Sequence, residues 1–215
     1  LYTALFASEH GGTVLLVTKG SIEDCNTRWA QGGIAAAVGS EDSPDLHMGD
    51  TLRAGAGLSD SAAAHILAHE GSRAIEDLVG LGVAFDRAYG GPALTREAAH
   101  SLPRVLHADG DATGAHIELT LAKLARTSRI NIQEYTHVTR LMVDDEDGSV
   151  CGVAVMDART RQTGEFRGRY LVLATGGAGR AFWFTTNSAV ATGDGVALAM
   201  RAGARVMDME FYQFH

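Results

Sequence analysis

At 215 residues the chain is long enough for one domain, or one and a part, with a sizeable buried core. It carries 18 Lys and Arg against 26 Asp and Glu, a formal net charge of −8, which argues against a general nucleic-acid binder because no basic surplus neutralises phosphates. With 26 Gly and 3 Pro, it is a chain of tight turns and close backbone approaches rather than a proline-rich linker.

Two cysteines, Cys25 and Cys151, stand far apart and in no CxxC pair. That excludes a disulfide scaffold and most zinc sites, and suits a reducing compartment. Apolar runs such as Leu171–Ala174 fall far short of membrane-spanning length. No signal-peptide pattern opens the chain. A soluble cytoplasmic globular protein is expected.

The chain opens on Leu1, Tyr2, Ala4 and Leu5, an apolar-periodic run that reads as the back half of a helix stopped by His10-Gly11-Gly12. Thr13–Val17 reads as a buried parallel strand. Lys19 to Gly33 is polar and aperiodic, a loop, and Ile34–Val38 suggests a short helix. Ser43-Pro44-Asp45 supplies an N-cap, an N1 proline and a first-turn acid for a helix ending at Gly55-Ala56-Gly57. A second helix starts at Ser59-Asp60 and reaches Gly80 or Gly82, and a third spans Asp111 to Ser128.

The period then changes. Ile130–Gln133 is a short strand, and His137–Asp144 with Val150–Asp157 predicts a hairpin about an acidic, Gly-containing turn. Thr163-Gly164 turns into a strand over Glu165–Arg169. Tyr170–Ala174 reads as a second buried strand emptying into Thr175-Gly176-Gly177, and the last helix covers Gly195 to Ala202. The pattern predicts an open α/β sheet, parallel at its centre, with a helical insertion and an antiparallel β-meander. Such sheets bind ligands at the carboxyl ends of their strands, here Thr18-Lys19-Gly20 and Thr175-Gly176-Gly177. Both ends of the sequence look cut, because it starts inside a helix and stops inside the aromatic run Phe211-Tyr212-Gln213-Phe214-His215.

Five places carry chemistry. Asn26 to Ile34 ends in Gly32-Gly33, whose backbone N–H groups can approach a phosphate or planar ring, although an ordinary loop closed by a Gly-Gly turn is the simpler reading of composition alone. Ala174-Thr175-Gly176-Gly177-Ala178-Gly179 matches the close approach a dinucleotide needs, as would any Gly-rich strand exit. Asp194, in Thr192-Gly193-Asp194-Gly195, suits a helix cap or a ribose contact. Thr95, Arg96, Glu97, His100, Arg104, His107, Asp109 and Asp111 form a charged stretch. There an arginine can hold a carboxylate and a glutamate an ammonium, against the plainer reading of a solvated loop. His215 follows an aromatic run, where a histidine is more often a core or interface group. No histidine spacing matches a standard metal-ligand set, and no Gly-x-Ser-x-Gly elbow is present.

The stretch Asn26-Thr-Arg-Trp-Ala-Gln-Gly-Gly-Ile34 resembles the flavin-binding segment of the succinate dehydrogenase/fumarate reductase flavoprotein superfamily. So do Ala174-Thr-Gly-Gly177, Thr185-Thr-Asn187, Ala191-Thr-Gly-Asp-Gly195 and Glu210-Phe-Tyr-Gln-Phe-His215. Within it, Asp50-Thr-Leu-Arg-Ala-Gly-Ala-Gly57, Leu94-Thr-Arg-Glu97, Arg104-Val-Leu-His-Ala108 and Asp111-Ala-Thr-Gly114 resemble the L-aspartate oxidase branch. The resemblance implies a Rossmann-like FAD-binding domain over residues 1–215, lacking a first strand with its Gly-x-Gly-x-x-Gly turn. The capping domain would begin near or after 215.

It further implies FAD-dependent oxidation of L-aspartate to iminoaspartate. Hydride passes from Cα to flavin N5, and dioxygen or fumarate reoxidises the flavin. This is the chemistry of the quinolinate branch of NAD biosynthesis, with product passed on to quinolinate synthase. Succinate dehydrogenases attach flavin covalently through a histidine where Asn26 stands, so non-covalent FAD is implied. The implied cofactor contacts are Lys19, Asn26, Thr27, Arg28, Trp29, Ala30, Gln31, Gly32, Gly33, Val138, Ala174, Gly176, Gly177 and Asp194. Glu97 and His215 would touch substrate, with the catalytic residues beyond residue 215. Thr18-Lys19 replaces the acid that many dinucleotide folds place after the first strand. The alternatives are a fumarate reductase or succinate dehydrogenase-type flavoprotein, against which Asn26 and Glu97 argue, and a non-catalytic FAD-binding module.

Overall fold

The computed structural model describes residues 1–213. In chain order the elements are α1 (Tyr2–Glu9), β1 (Leu15–Val17), α2 (Asn26–Trp29), β2 (Ile34–Ala35), α3 (Pro44–Ala54), α4 (Ser61–Gly80), β3 (Arg87–Ala88), β4 (Gly91–Pro92), β5 (Leu94–Thr95) and β6 (Val105–Leu106). There follow α5 (Thr113–Thr127), β7 (Asn131–Gln133), β8 (Thr136–Val143), β9 (Val150–Asp157), β10 (Thr163–Arg167), a 3₁₀ turn at Gly179–Ala181 and α6 (Asp194–Arg201). They fall into two compact units: Leu1–Asn26 with Leu124–His215, and Thr27–Lys123. Parallel pairing, antiparallel sheets and helices coexist, as the pattern of periods predicted.

In the first unit β1 pairs in parallel with β7, in the register Leu15↔Asn131, Leu16↔Ile132 and Val17↔Gln133. Glu134, just past β7, accepts hydrogen bonds from the Ile22 N–H (2.7 Å) and the Ser21 hydroxyl (3.2 Å) and pairs with Arg126 at 2.8 Å. The turn after β1 is thereby tied to its partner strand. The meander runs β10-β9-β8, with an irregularity between Val138 and Arg140. Leu141, Val153 and Val155 form its apolar face and meet Leu198 of α6. Each such burial stabilises by roughly 1.5–3 kcal/mol.

In the second unit the caps read from sequence are present. The Ser43 hydroxyl accepts from the Leu46 N–H at 3.2 Å, and the Asp60 carboxylate accepts from the Ala63 N–H at 2.9 Å. One face of α4 buries Ala64, Ala68, Ile75 and Leu78, a helical stripe. A small sheet in the order β2-β6-β5 holds the buried Val105 and Leu106 at its centre.

Four expectations need correction. Ile34-Ala35 is a strand rather than a helix, because its ladder to Val105-Leu106 and the Ala36 N–H bond to the Arg104 carbonyl outweigh alanine's helical preference. The loop expected over Lys19–Gly33 contains a turn of helix at α2. Strand β10 begins at Thr163 rather than Glu165. The reversal is already complete before it, because the Asp157 carboxylate accepts from the Arg159 and Thr160 N–H groups at 2.8 and 2.7 Å. Tyr170–Ala174 is no buried strand: Tyr170 is 87% and Val172 62% exposed. Among the described residues no strand pairs with this run, and apolar β-propensity makes a strand only where a neighbour completes the ladder. The parallel partner of β1 is instead β7.

Candidate functional site

Within the first unit, the end of β1 meets the start of α6. The Lys19 ammonium donates to the Asp194 carboxylate at 2.5 Å and to the Thr192 hydroxyl, and Thr192 donates to Asp194 at 2.9 Å. The Lys19 bond, the Thr192 bond and the charges of Lys19 and His137 hold the Asp194 carboxyl below its ordinary range against the opposing effect of burial. Asp194 also lies in the first turn of α6, where an anion complements the helix dipole. The cap expectation is corrected: Gly193 is the N-cap with no side-chain cap bond, Asp194 is the first helical residue, and its carboxylate is engaged by Lys19.

The glycines of this unit divide by function. A Cβ at Gly195 would collide with the Thr175 side chain, and one at Gly179 with Asn187; these two serve packing. At Gly176 and Gly177 an added Cβ would meet nothing within 4 Å. The backbone there is open to a ligand, and Ala174 beside it is exposed. Val138 lies on the meander, packed against the Leu141–Val155 cluster. Asn26 donates to the Asn187 side chain at 2.7 Å and accepts from the Ser188 N–H at 2.8 Å. Its amide thus ties down the loop that contains Thr185-Thr186-Asn187.

In the second unit Thr27, Trp29, Ala30, Gln31 and Gly32 are exposed, with Arg28 and Gly33 partly so. The first turn of α5 holds this segment: the Gly114 N–H donates to the Ala30 carbonyl at 3.1 Å. A Cβ at Gly114 would strike the Thr27 and Ala30 carbonyl oxygens, and one at Gly33 the Leu106 carbonyl. At Gly32 it would meet nothing within 4 Å. Gly114→Ala is therefore expected to destabilise by about 1–3 kcal/mol, read as a lower midpoint in denaturant unfolding. An unchanged midpoint would show that the segment does not rest on α5.

The charged stretch of the same unit separates into a buried part and an exposed part. The Arg104 side chain is fully buried, as are those of Asp42 and Asp50. Its Nε and Nη2 donate to Asp42 at 2.8 Å each, and Nη1 donates to Asp50 at 2.7 Å. Burial alone would raise the Asp50 carboxyl. The Ser101 N–H and hydroxyl, with Arg104, outweigh it and bring it to about 2. Nearby His47 is pushed down by burial and by the Arg104 and His100 charges. Arg104 is accordingly no ligand for a substrate carboxylate, because its donors are spent inside the unit. Sequence spacing missed this cluster, since Asp42 and Asp50 lie 62 and 54 residues from Arg104.

Glu97 belongs to the exposed part, with its side chain 48% accessible. Its Oε1 lies 2.9 Å from His107 Nε2 and accepts from the Thr95 hydroxyl at 3.1 Å. Among the described residues its Oε2 has no hydrogen-bond partner. Strands β5 and β6 bring Thr95 and His107 together at 3.0 Å. His107 gave no signal of its own beyond membership of the charged stretch. The expectation for His215 lies outside the described residues.

The FAD binding domain family matches the chain over residues 1–215. The L-aspartate oxidase of Streptomyces coelicolor is 46% identical over all of this chain and 38% of its own length. That of Nostoc sp. is 47% identical over all of this chain and 37% of its own. The chain thus spans well under half the length of the curated relatives it matches. Among solved structures, Mycobacterium smegmatis Sdh1 in complex with UQ1 matches with a TM-score of 0.90 and 35% identity, over 99% of this chain and 38% of that one. Escherichia coli quinol fumarate reductase FrdA matches at 0.92 and 29%, over 99% and 37%.

Proposed function

The chain belongs to the FAD binding domain family, and on that premise we propose that it is the flavin-binding segment of an enzyme that oxidises L-aspartate to iminoaspartate. The observation that carries the substrate assignment is Glu97. It is a half-exposed carboxylate anchored through one oxygen, with the other lacking a partner among the described residues. Such an acceptor favours a substrate that carries an α-ammonium over one that lacks it. The sequence matches to L-aspartate oxidases support the same reading.

Residues of this chain suit the cofactor. The backbone is open at Gly32, Gly176 and Gly177, where a nucleotide or planar ring needs close approach. Lys19 uses two of its three donors on Thr192 and Asp194, leaving one for a phosphate or ribose oxygen. The exposed Thr27–Gln31 segment, steadied by Gly114, offers polar groups and the Trp29 face. Ala174 flanks the open glycines, Val138 packs on the apolar face of the meander, and Asn26 holds the 185–188 loop in place. FAD, when bound, supplies the two-electron acceptor. An asparagine amide is no nucleophile toward flavin, so the attachment at Asn26 is non-covalent.

Dioxygen or fumarate serves as the terminal acceptor in this reading, and His215 as a second substrate contact. The imine hydrolyses readily, which favours handing it to quinolinate synthase in the quinolinate branch of NAD biosynthesis. Residues 1–215 form part of one FAD-binding domain. A cytoplasmic setting belongs to this reading, in keeping with the absence of a disulfide at Cys25 and Cys151 among the described residues.

An acid-quenched turnover of L-aspartate by the holoenzyme tests this reading. The supernatant is expected to contain free FAD, together with oxaloacetate and ammonia from imine hydrolysis. Flavin retained in the pellet would overturn the non-covalent attachment, and absence of oxaloacetate would overturn the reaction.

A further inference from the structure

His107 has acceptors at both ring nitrogens. Nδ1 lies 3.0 Å from the Gly110 carbonyl oxygen, and Nε2 lies 2.9 Å from Glu97 Oε1 and 3.0 Å from the Thr95 hydroxyl. The ring thus bridges the Gly110 carbonyl on one side and the Glu97 carboxylate on the other, and its side chain is mostly buried, 18% exposed.

The acceptor at Nδ1 is itself held in place. The Asp86 carboxylate accepts from the Asp109 and Gly110 N–H groups at 2.9 and 3.1 Å. The Asp86 N–H donates to the His107 carbonyl at 2.8 Å. Asp109 has a positive φ of 52°, a conformation that costs a non-glycine residue and persists where surrounding bonds fix it, while Gly110 at 68° takes it freely. Those two N–H bonds, opposed by burial, hold the Asp86 carboxyl below its ordinary range. Asp86, the Asp109-Gly110 turn, His107 and Glu97 thus form one hydrogen-bonded chain within a single unit, ending at the half-exposed carboxylate.

We propose that His107 is the positioning residue that sets amino-acid specificity: it clamps Glu97 through Oε1 so that Oε2 is presented to the α-ammonium of the substrate. The proposal rests on the assignment of Glu97 as the ammonium acceptor. The clamp fixes the Glu97 rotamer before substrate arrives, which reduces the ordering cost of binding. What it leaves for the substrate is a directed hydrogen bond at Oε2. An analogue lacking the amine makes no use of the arrangement, so the clamp acts on amino acids alone.

The test compares His107→Phe, which keeps an aromatic ring and removes both ring nitrogens, with His107→Gln, whose amide can restore a donor toward Glu97. His107→Phe is expected to raise KM for L-aspartate about tenfold or more with a much smaller change in kcat. The fumarate-reduction KM and the FAD affinity, measured by flavin fluorescence titration, are expected to hold within about threefold. His107→Gln is expected to recover most of the KM. Equal losses on L-aspartate and fumarate, or no recovery in His107→Gln, would overturn the proposal.

A second readout needs no turnover. Nitrogen-15 NMR of the His107 ring in the holoenzyme is expected to show a hydrogen-bonded Nε2 whose signal moves on Glu97→Gln. An Nε2 signal indifferent to Glu97→Gln would overturn the clamp even if both Phe and Gln variants misfold. An intact NMR signature in a holoenzyme that fails to oxidise L-aspartate would instead overturn the substrate assignment.

Discussion

Glu97→Gln is expected to lower kcat/KM for L-aspartate by about 100-fold, corresponding to about 2–3 kcal/mol for a lost hydrogen bond to a charged partner. Fumarate reduction should fall far less. The side chain keeps its length and one carbonyl oxygen, so packing is preserved and the change isolates charge. L-Aspartate then places its ammonium against a neutral amide, whereas fumarate has no ammonium to lose. Steady-state kinetics in both directions on one preparation gives the comparison. Equal losses would mean that Glu97 supports the loop without receiving the amine.

The second large effect concerns stability. Arg104→Ala is expected to destabilise by about 3–5 kcal/mol, because it strips the buried Asp42 carboxylate of its arginine and the buried Asp50 carboxylate of its buried one. Asp42 and Asp50 are 2% and 1% exposed at their side chains. Arg53→Ala is the control. Arg53 also pairs with Asp50, but its side chain is 71% exposed, and such pairs contribute about 0–1 kcal/mol. Denaturant unfolding of the two variants should separate them clearly, and equal small losses would mean that the Arg104 cluster is not a cornerstone of the second unit.

The same cluster sets an acid limb. The Asp50 carboxyl is depressed from its ordinary 3.8 to about 2. Its contribution is therefore present above pH 3.8 and lost progressively as pH falls through about 2. Asp50→Asn should flatten stability over that window.

Local elements were legible where their determinants are local. Ser43-Pro44-Asp45 and Asp60 carry their caps within three residues of the helix start. The hairpin of β8 and β9 follows from alternation on either side of an acidic turn. Tyr170–Ala174 misled because strand propensity says nothing about whether a neighbour is present to complete the ladder. Ile34–Val38 misled in the opposite direction, since its strand partners lie some seventy residues on. At the candidate site, glycine positions were readable as close approaches, but not which serve packing, as Gly195 does against Thr175, and which leave backbone open, as Gly177 does. The Arg104 cluster and the His107–Glu97 pair needed the fold, because charges that meet across loops leave no periodic trace. In sequence an arginine of the charged stretch could have held a substrate carboxylate; in the structure Arg104 is a buried brace.

The resemblance to succinate dehydrogenase and fumarate reductase flavoproteins makes amino-acid specificity the claim most in need of a direct measurement. Adding substrate to the oxidised holoenzyme without oxygen and following the flavin absorbance supplies it. L-Aspartate is expected to bleach the flavin and succinate to leave it oxidised; bleaching by succinate alone would contradict the account.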